Sequence, residues 1–223
     1  MNETKERHVA WAMLILCPLS MSAMFAYVTL GHAQGLAAGH PVEYLQMTCL
    51  LWAIIMVIIP ILRLTRMVTL PYWFSAILYF NMYMYVISLC HGMYFDVWWW
   101  ANFTHIVSSA VVGAIILMAL CLMQSHSPPH LSLGSRGGIV AVLVLATFCF
   151  GVVWEIMEGF TEILTGTDYM SYGATHTLFN LSADLLGAAI MGAIAWVILG
   201  RRTVDEIVSD IRLGKKNIDA TTR

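Results

Sequence analysis

The chain has 223 residues, of which 60% are hydrophobic and 11% charged, with a formal net charge of -2 and a mean hydropathy of +0.77. Soluble domains carry about 25% charged residues. The composition therefore excludes a soluble globular domain, a disordered chain and a nucleic-acid binder, and points to an all-α polytopic membrane protein. The five cysteines, Cys17, Cys49, Cys90, Cys121 and Cys149, fall singly in apolar stretches without a CxxC pair. They read as small packing residues.

Six stretches approach the ~20 apolar residues that a spanning helix needs: 9–30, 44–62, 72–90, 101–123, 138–164 and 180–200. The first, preceded by Lys5 and Arg7, looks superficially like a signal peptide. Its apolar run of about 21 residues exceeds the ~7–15 of a signal core, so the expectation is an uncleaved first span. Between spans 4 and 5, His126 and His130 flank a Ser-Pro-Pro turn and read as solvated.

Charge sets the expected orientation. All 11 Lys and Arg residues lie on one side: Lys5, Arg7, Arg63, Arg66, Arg136, Arg201, Arg202, Arg212, Lys215, Lys216 and Arg223. Loops 31–43, 91–100 and 165–179 hold none. By the positive-inside rule both termini are cytoplasmic, in a bacterial or archaeal inner membrane. Trp98, Trp99 and Trp100 precede span 4 and read as an interfacial aromatic belt. The tail, 201–223, reads as a short amphipathic helix with Val204, Ile207, Val208 and Ile211 on one face. It would lie on the membrane or pack under the bundle, with Lys215 and Lys216 available to anionic lipid.

The two halves differ. Spans 1–3 (9–90) have no Asp, Glu, Lys, Arg or His in their apolar cores and read as scaffold, whereas spans 4–6 (101–200) hold His105, Glu155, Glu158, Glu162 and Asp184. A charged side chain at a helix centre costs about 2.5–3.5 kcal/mol on insertion scales, so these residues require compensation or a function. Glu155, Glu158 and Glu162 follow i, i+3, i+7 along one helical stripe, roughly 10 Å long. Asn180 and Asp184 are at i, i+4, and Asn102 and His105 at i, i+3. Alternating span directions put all of them in the outer half of the membrane. Gly187, Ala188 and Gly192 on span 6, and Ser108, Ser109 and Gly113 on span 4, permit close helix approach. Asp96, Asp168, His91 and His176 lie in the outer loops, and His176 is the nearest addition to the cluster.

Carboxylates and imidazole on facing helices are how helical bundles build metal sites. This donor set suits Zn, Mn, Mg or Fe. The expected ligands are His105, Glu155, Glu158, Asp184 and Asn180, with Glu162 or His176 as general base for hydrolysis or transfer on a lipid-linked substrate. The alternatives are a proton- or metal-ion transporter using the same residues, and an accessory protein serving a protein partner. The absence of matching features in spans 1–3 argues against an inverted-repeat transporter. A softer set, Met82, Met84, His91 and Met93, would suit Cu(I) but reads as packing.

His105, Trp154-Glu155-Ile156-Met157-Glu158 and Asn180-Leu181-Ser182-Ala183-Asp184-Leu185-Leu186-Gly187-Ala188 together resemble the YjdF-like family of uncharacterised bacterial inner-membrane proteins. The resemblance covers spans 4–6. It implies the location of a site and no particular activity. The chain departs from the family's pattern at Ala101, Thr177 and Asn180, where that pattern carries Asp or another acid.

Overall fold

A computed structural model describes residues 3–37, 41–65, 67–70, 72–126, 128, 132–166 and 173–213. Arg66, His130, Asp168, Lys215, Lys216 and Arg223 lie outside the described residues. The elements in chain order are α1 (Glu3–Thr29), α2 (Gln34–Ala37), α3 (Val42–Met56), α4 (Ile58–Leu64), β1 (Val68–Thr69), α5 (Tyr72–Cys90), α6 (Met93–Asp96), α7 (Trp100–His126), α8 (Arg136–Thr165), α9 (Ala174–Arg201), α10 (Val204–Ser209) and β2 (Arg212–Leu213). Among the described residues the fold is helical apart from one two-residue antiparallel pair, Val68 with Leu213 and Thr69 with Arg212.

Among the described residues, five helical segments are long and apolar enough to cross a membrane: Arg7–Thr29, Val42–Leu64 (α3 and α4 together), Trp100–His126, Arg136–Leu164 and Ala174–Arg201. The third expected span, 72–90, forms a helix, but its apolar segment Phe74–Cys90 is shorter than the others. Large apolar side chains point outward along the long helices, among them Leu145, Phe150, Val153 and Met157 on α8. A helix that is apolar all round faces lipid or a buried core. Outward exposure of these residues makes the surrounding medium lipid.

The chain forms two compact units, residues 1–97 with 210–223, and residues 98–209. In the first, the second expected span is not one helix. Pro60 has no N–H to donate to the Met56 carbonyl, and the helix breaks between Met56 and Ile58. Val57 N–H turns back to Ile54 O at 3.3 Å, and the freed Met56 carbonyl accepts Tyr79 Oη–H from α5 at 2.6 Å. Tyr79→Phe is therefore expected to lower stability by about 1 kcal/mol, seen as an earlier midpoint in detergent unfolding. An unchanged midpoint would mean that the carbonyl finds another donor.

The second unit is a three-helix bundle. Its register is set by small residues. A Cβ on Gly187 of α9 would meet Ile106 O of α7 at 2.5 Å, and one on Gly113 of α7 would meet Met191 Cγ of α9 at 2.8 Å. The two helices thus run parallel. On α8, Gly151 lies against Asp184 and Val144 against Gly192, so α8 is antiparallel to α9. Helix α8 starts at Ser135, whose Oγ accepts Gly138 N–H at 3.1 Å. It stops at Gly166, whose φ of 67° favours glycine.

One end of the bundle is filled by Leu117, Leu120, Cys121, Ile139, Leu143, Met191 and Ala195, with Ile207 of α10 inserted beneath them. Val204 and Val208 pack against the same cluster. The tail helix is therefore the amphipathic element expected from its spacing, and its apolar face is spent on the bundle.

Candidate metal centre

The opposite end of this bundle holds the polar residues. Because α7 and α9 run parallel and α8 antiparallel, the start of α7, the later part of α8 and the first half of α9 meet at one level. Donor atoms of His105, Glu155 and Asp184 all lie within 4.8 Å of one another. His105 Nδ1 is 3.1 Å from Asp184 Oδ1, and His105 Nε2 is 3.8 Å from Glu155 Oε1. Ser109, one turn along α7 from His105, donates its hydroxyl to the same Asp184 Oδ1 at 2.6 Å.

These contacts orient the imidazole. Asp184 holds Nδ1, so Nε2 is the nitrogen presented to Glu155. A carboxylate behind a ligating histidine fixes its tautomer in this way. Two ligand atoms each about 2.1 Å from a tetrahedral ion are ~3.4 Å apart. The 3.8 Å between His105 Nε2 and Glu155 Oε1 is close to that separation.

The remaining oxygens decide what the site can accept. Glu155 Oε1 and Oε2, Asp184 Oδ2 and Asn180 Oδ1 are enclosed and have no donor in good hydrogen-bond geometry, and Glu155 has the polar side chains of Asn180 and Thr177 beside it. Glu155, Asn180 and Asp184 are 6%, 2% and 3% exposed. Asn180 stands one turn before Asp184 on α9 and neighbours Glu155. Buried acceptors without donors are rare in native structures, and one ligand atom each of His105, Glu155 and Asp184 lies within 4.8 Å of the others. A cation would satisfy that arrangement. Two carboxylates and one divalent ion also sum to zero charge, which removes the cost of burying the acids.

The other expected residues are placed differently. Glu158 lies one turn further along α8, where Trp154 Nε1–H donates to its Oε1 at 2.8 Å. It feels the charges of Glu155 and His105, but it lies outside the group of converging donors. Glu162 and His176 are half-buried, each engaged in interactions of its own, and outside the group as well. Helix α9 begins at Ala174, so His176 and Thr177 stand in its first turn and not in the outer loop. The six uncharged residues from Ala174 continue the helix, and the apolar-run criterion cut it short. Trp98 is 87% exposed. Trp99, Trp100 and Phe103 form a cluster of rings.

Three contributors escaped the sequence reading of the site. Ser109 stands out there only as a small residue, although it also donates to Asp184. Gly151 is silent in the sequence, yet a Cβ there would lie 2.6 Å from Asp184 Oδ2. Trp154 carried a readable signal, an indole four residues before Glu158 on the same helical face.

A family model described as "Predicted membrane protein (DUF2238)" matches residues 14–205. The chain belongs to this family. His105, Ser109, Gly151, Glu155, Asn180 and Asp184 all fall within the stretch shared with DUF2238, and the YjdF-like resemblance of spans 4–6 is consistent with that membership. No curated protein and no solved structure matches the chain.

Proposed function

We propose that this DUF2238 protein is a six-span protein of the bacterial or archaeal cell membrane, with both termini cytoplasmic and a divalent-metal centre in the outer half of the bilayer. His105 Nε2, Glu155 and Asp184 are its ligands, with Asn180 Oδ1 completing the set. The metal would supply a Lewis acid and an activated water, used for hydrolysis or transfer on a lipid-linked substrate. Glu158, held by Trp154, and Glu162 and His176 near the mouth are the groups available to take the proton. The single observation that carries the reading is the convergence, within 4.8 Å, of ligand atoms from one imidazole and two buried carboxylates.

Transport of the same ion is the second reading, and the bundle's packing speaks against it. Toward α10 the interior is filled by Leu117, Leu143, Cys121, Ala195 and Ile207. A charged group crossing that plug would lose all solvation. The site therefore works as a pocket closed at one end.

The test is metal content by plasma mass spectrometry on detergent-purified protein after loading with Zn, Mn, Mg or Fe and gel filtration. About one ion per chain is expected, falling at least tenfold in His105→Ala. Glu158→Gln should retain the ion. No ion above the blank in the wild type sinks the proposal.

A further inference from the structure

The first unit carries a second polar group with no evident compensation. Arg63, in the last turn of α4, is 8% exposed. Its Nη2 donates to the Leu70 carbonyl and, at 3.1 Å, to Ser75 Oγ in the first turn of α5. Its guanidinium lies 4.2 Å from the centre of the Tyr72 ring. Nε and Nη1 are enclosed and have no acceptor. The chain has no Asp or Glu between Glu43 and Asp96, and among the described residues Arg63 makes no ion pair.

The surroundings make this cation harder to hold alone. The N-terminus of α5, a 19-residue helix, sits at Ser75 and Tyr72 and presents the positive end of its dipole. A guanidinium with two idle N–H groups and a helix N-terminus both repel a cation and both suit an oxyanion. The idle Nε–H and Nη1–H point to different sides of the guanidinium, and each can donate one charge-assisted hydrogen bond to an oxyanion.

We infer that Arg63 and the N-terminus of α5 hold a phosphate group. The shared chemistry is a phosphate oxyanion, supplied either by the phosphodiester of an anionic lipid or by inorganic phosphate. On the proposed topology Arg63 lies on the cytoplasmic side, where an anionic leaflet would lie. This inference is independent of the metal centre, which belongs to the other unit.

The experiment is native mass spectrometry of the detergent-purified full chain, titrated with phosphatidylglycerol, with phosphatidylcholine and with inorganic phosphate. A lipid site gives one tightly retained phosphatidylglycerol, preferred at least tenfold over phosphatidylcholine, and inorganic phosphate competes poorly. A free-phosphate site gives phosphate adducts and no preference between the lipids. In either case Arg63→Gln weakens binding at least tenfold and Arg63→Lys, which keeps the charge but loses the guanidinium donors, weakens it less. Arg201→Gln, an exposed cation, leaves binding unchanged. A headgroup-photoreactive phosphatidylglycerol on the wild type needs no variant to fold, and under the lipid outcome it should crosslink within residues 63–75. The inference is overturned if the wild type shows neither lipid preference nor phosphate adducts. It is equally overturned by folded Arg63 variants that bind as the wild type does, or by lipid crosslinks that all fall elsewhere.

Discussion

Glu155→Gln is expected to raise the stability of the metal-free protein and to abolish the stabilisation that metal brings. In the wild type, Glu155 presents two enclosed oxygens with no donor in good geometry, in a site where Asn180 Oδ1 and Asp184 Oδ2 also lack one. Replacing the acid with an amide removes one buried charge and adds two N–H donors among those acceptors. Relief of an unsatisfied buried group is worth about 1–3 kcal/mol. With metal present the order reverses. A ligand that binds only the folded state stabilises by about 2.7 kcal/mol at a hundredfold excess over its dissociation constant, and the glutamine variant has lost a charged ligand. Thermal unfolding in detergent, with chelator and with Zn, should therefore show the two melting curves crossing. The same rank order in both conditions would show that the oxygens do not converge on an ion.

Gly187→Ala is expected to damage fold and site together. The new Cβ would lie 2.5 Å from Ile106 O and 2.9 Å from Ser109 Cβ. The first is a helical backbone carbonyl, which cannot swing aside as a side-chain tip can, so α7 and α9 must part. Overpacking of this kind costs roughly 1–3 kcal/mol, occasionally more. The contact sits about one turn from both His105 and Asp184. Parting the helices lengthens the 3.1 Å His105–Asp184 contact and the 2.6 Å Ser109–Asp184 bond. Loss of an orienting partner typically weakens a metal about 10–100-fold. Gly159→Ala on α8 is the control, because its Cβ would meet nothing within 4 Å. It should be neutral or stabilising by up to about 1 kcal/mol. Equal behaviour of the two variants would remove Gly187 as the determinant of the α7–α9 approach.

Much of the candidate site was legible from insertion cost and helical periodicity. Ionisable side chains in apolar spans stand out against their background, and i, i+4 spacing puts Asn180 and Asp184 on one face. Periodicity could not rank the three glutamates. They share one stripe of α8, but the stripe is longer than the zone of contact with α7 and α9. Only the level at which Gly151 admits Asp184 selects Glu155 and leaves Glu158 to Trp154.

Composition by itself established a helical membrane protein, because so few charges over so many apolar residues have no other stable solvent. It also located the ionisable half of the chain. The break at Met56, the early start of α9, the tail's place under the bundle and the choice among the carboxylates were decided by tertiary structure. The break at Met56 and the choice among the carboxylates depend on a proline and a glycine and on the neighbour that fills the gap each leaves, which lies on a helix remote in sequence.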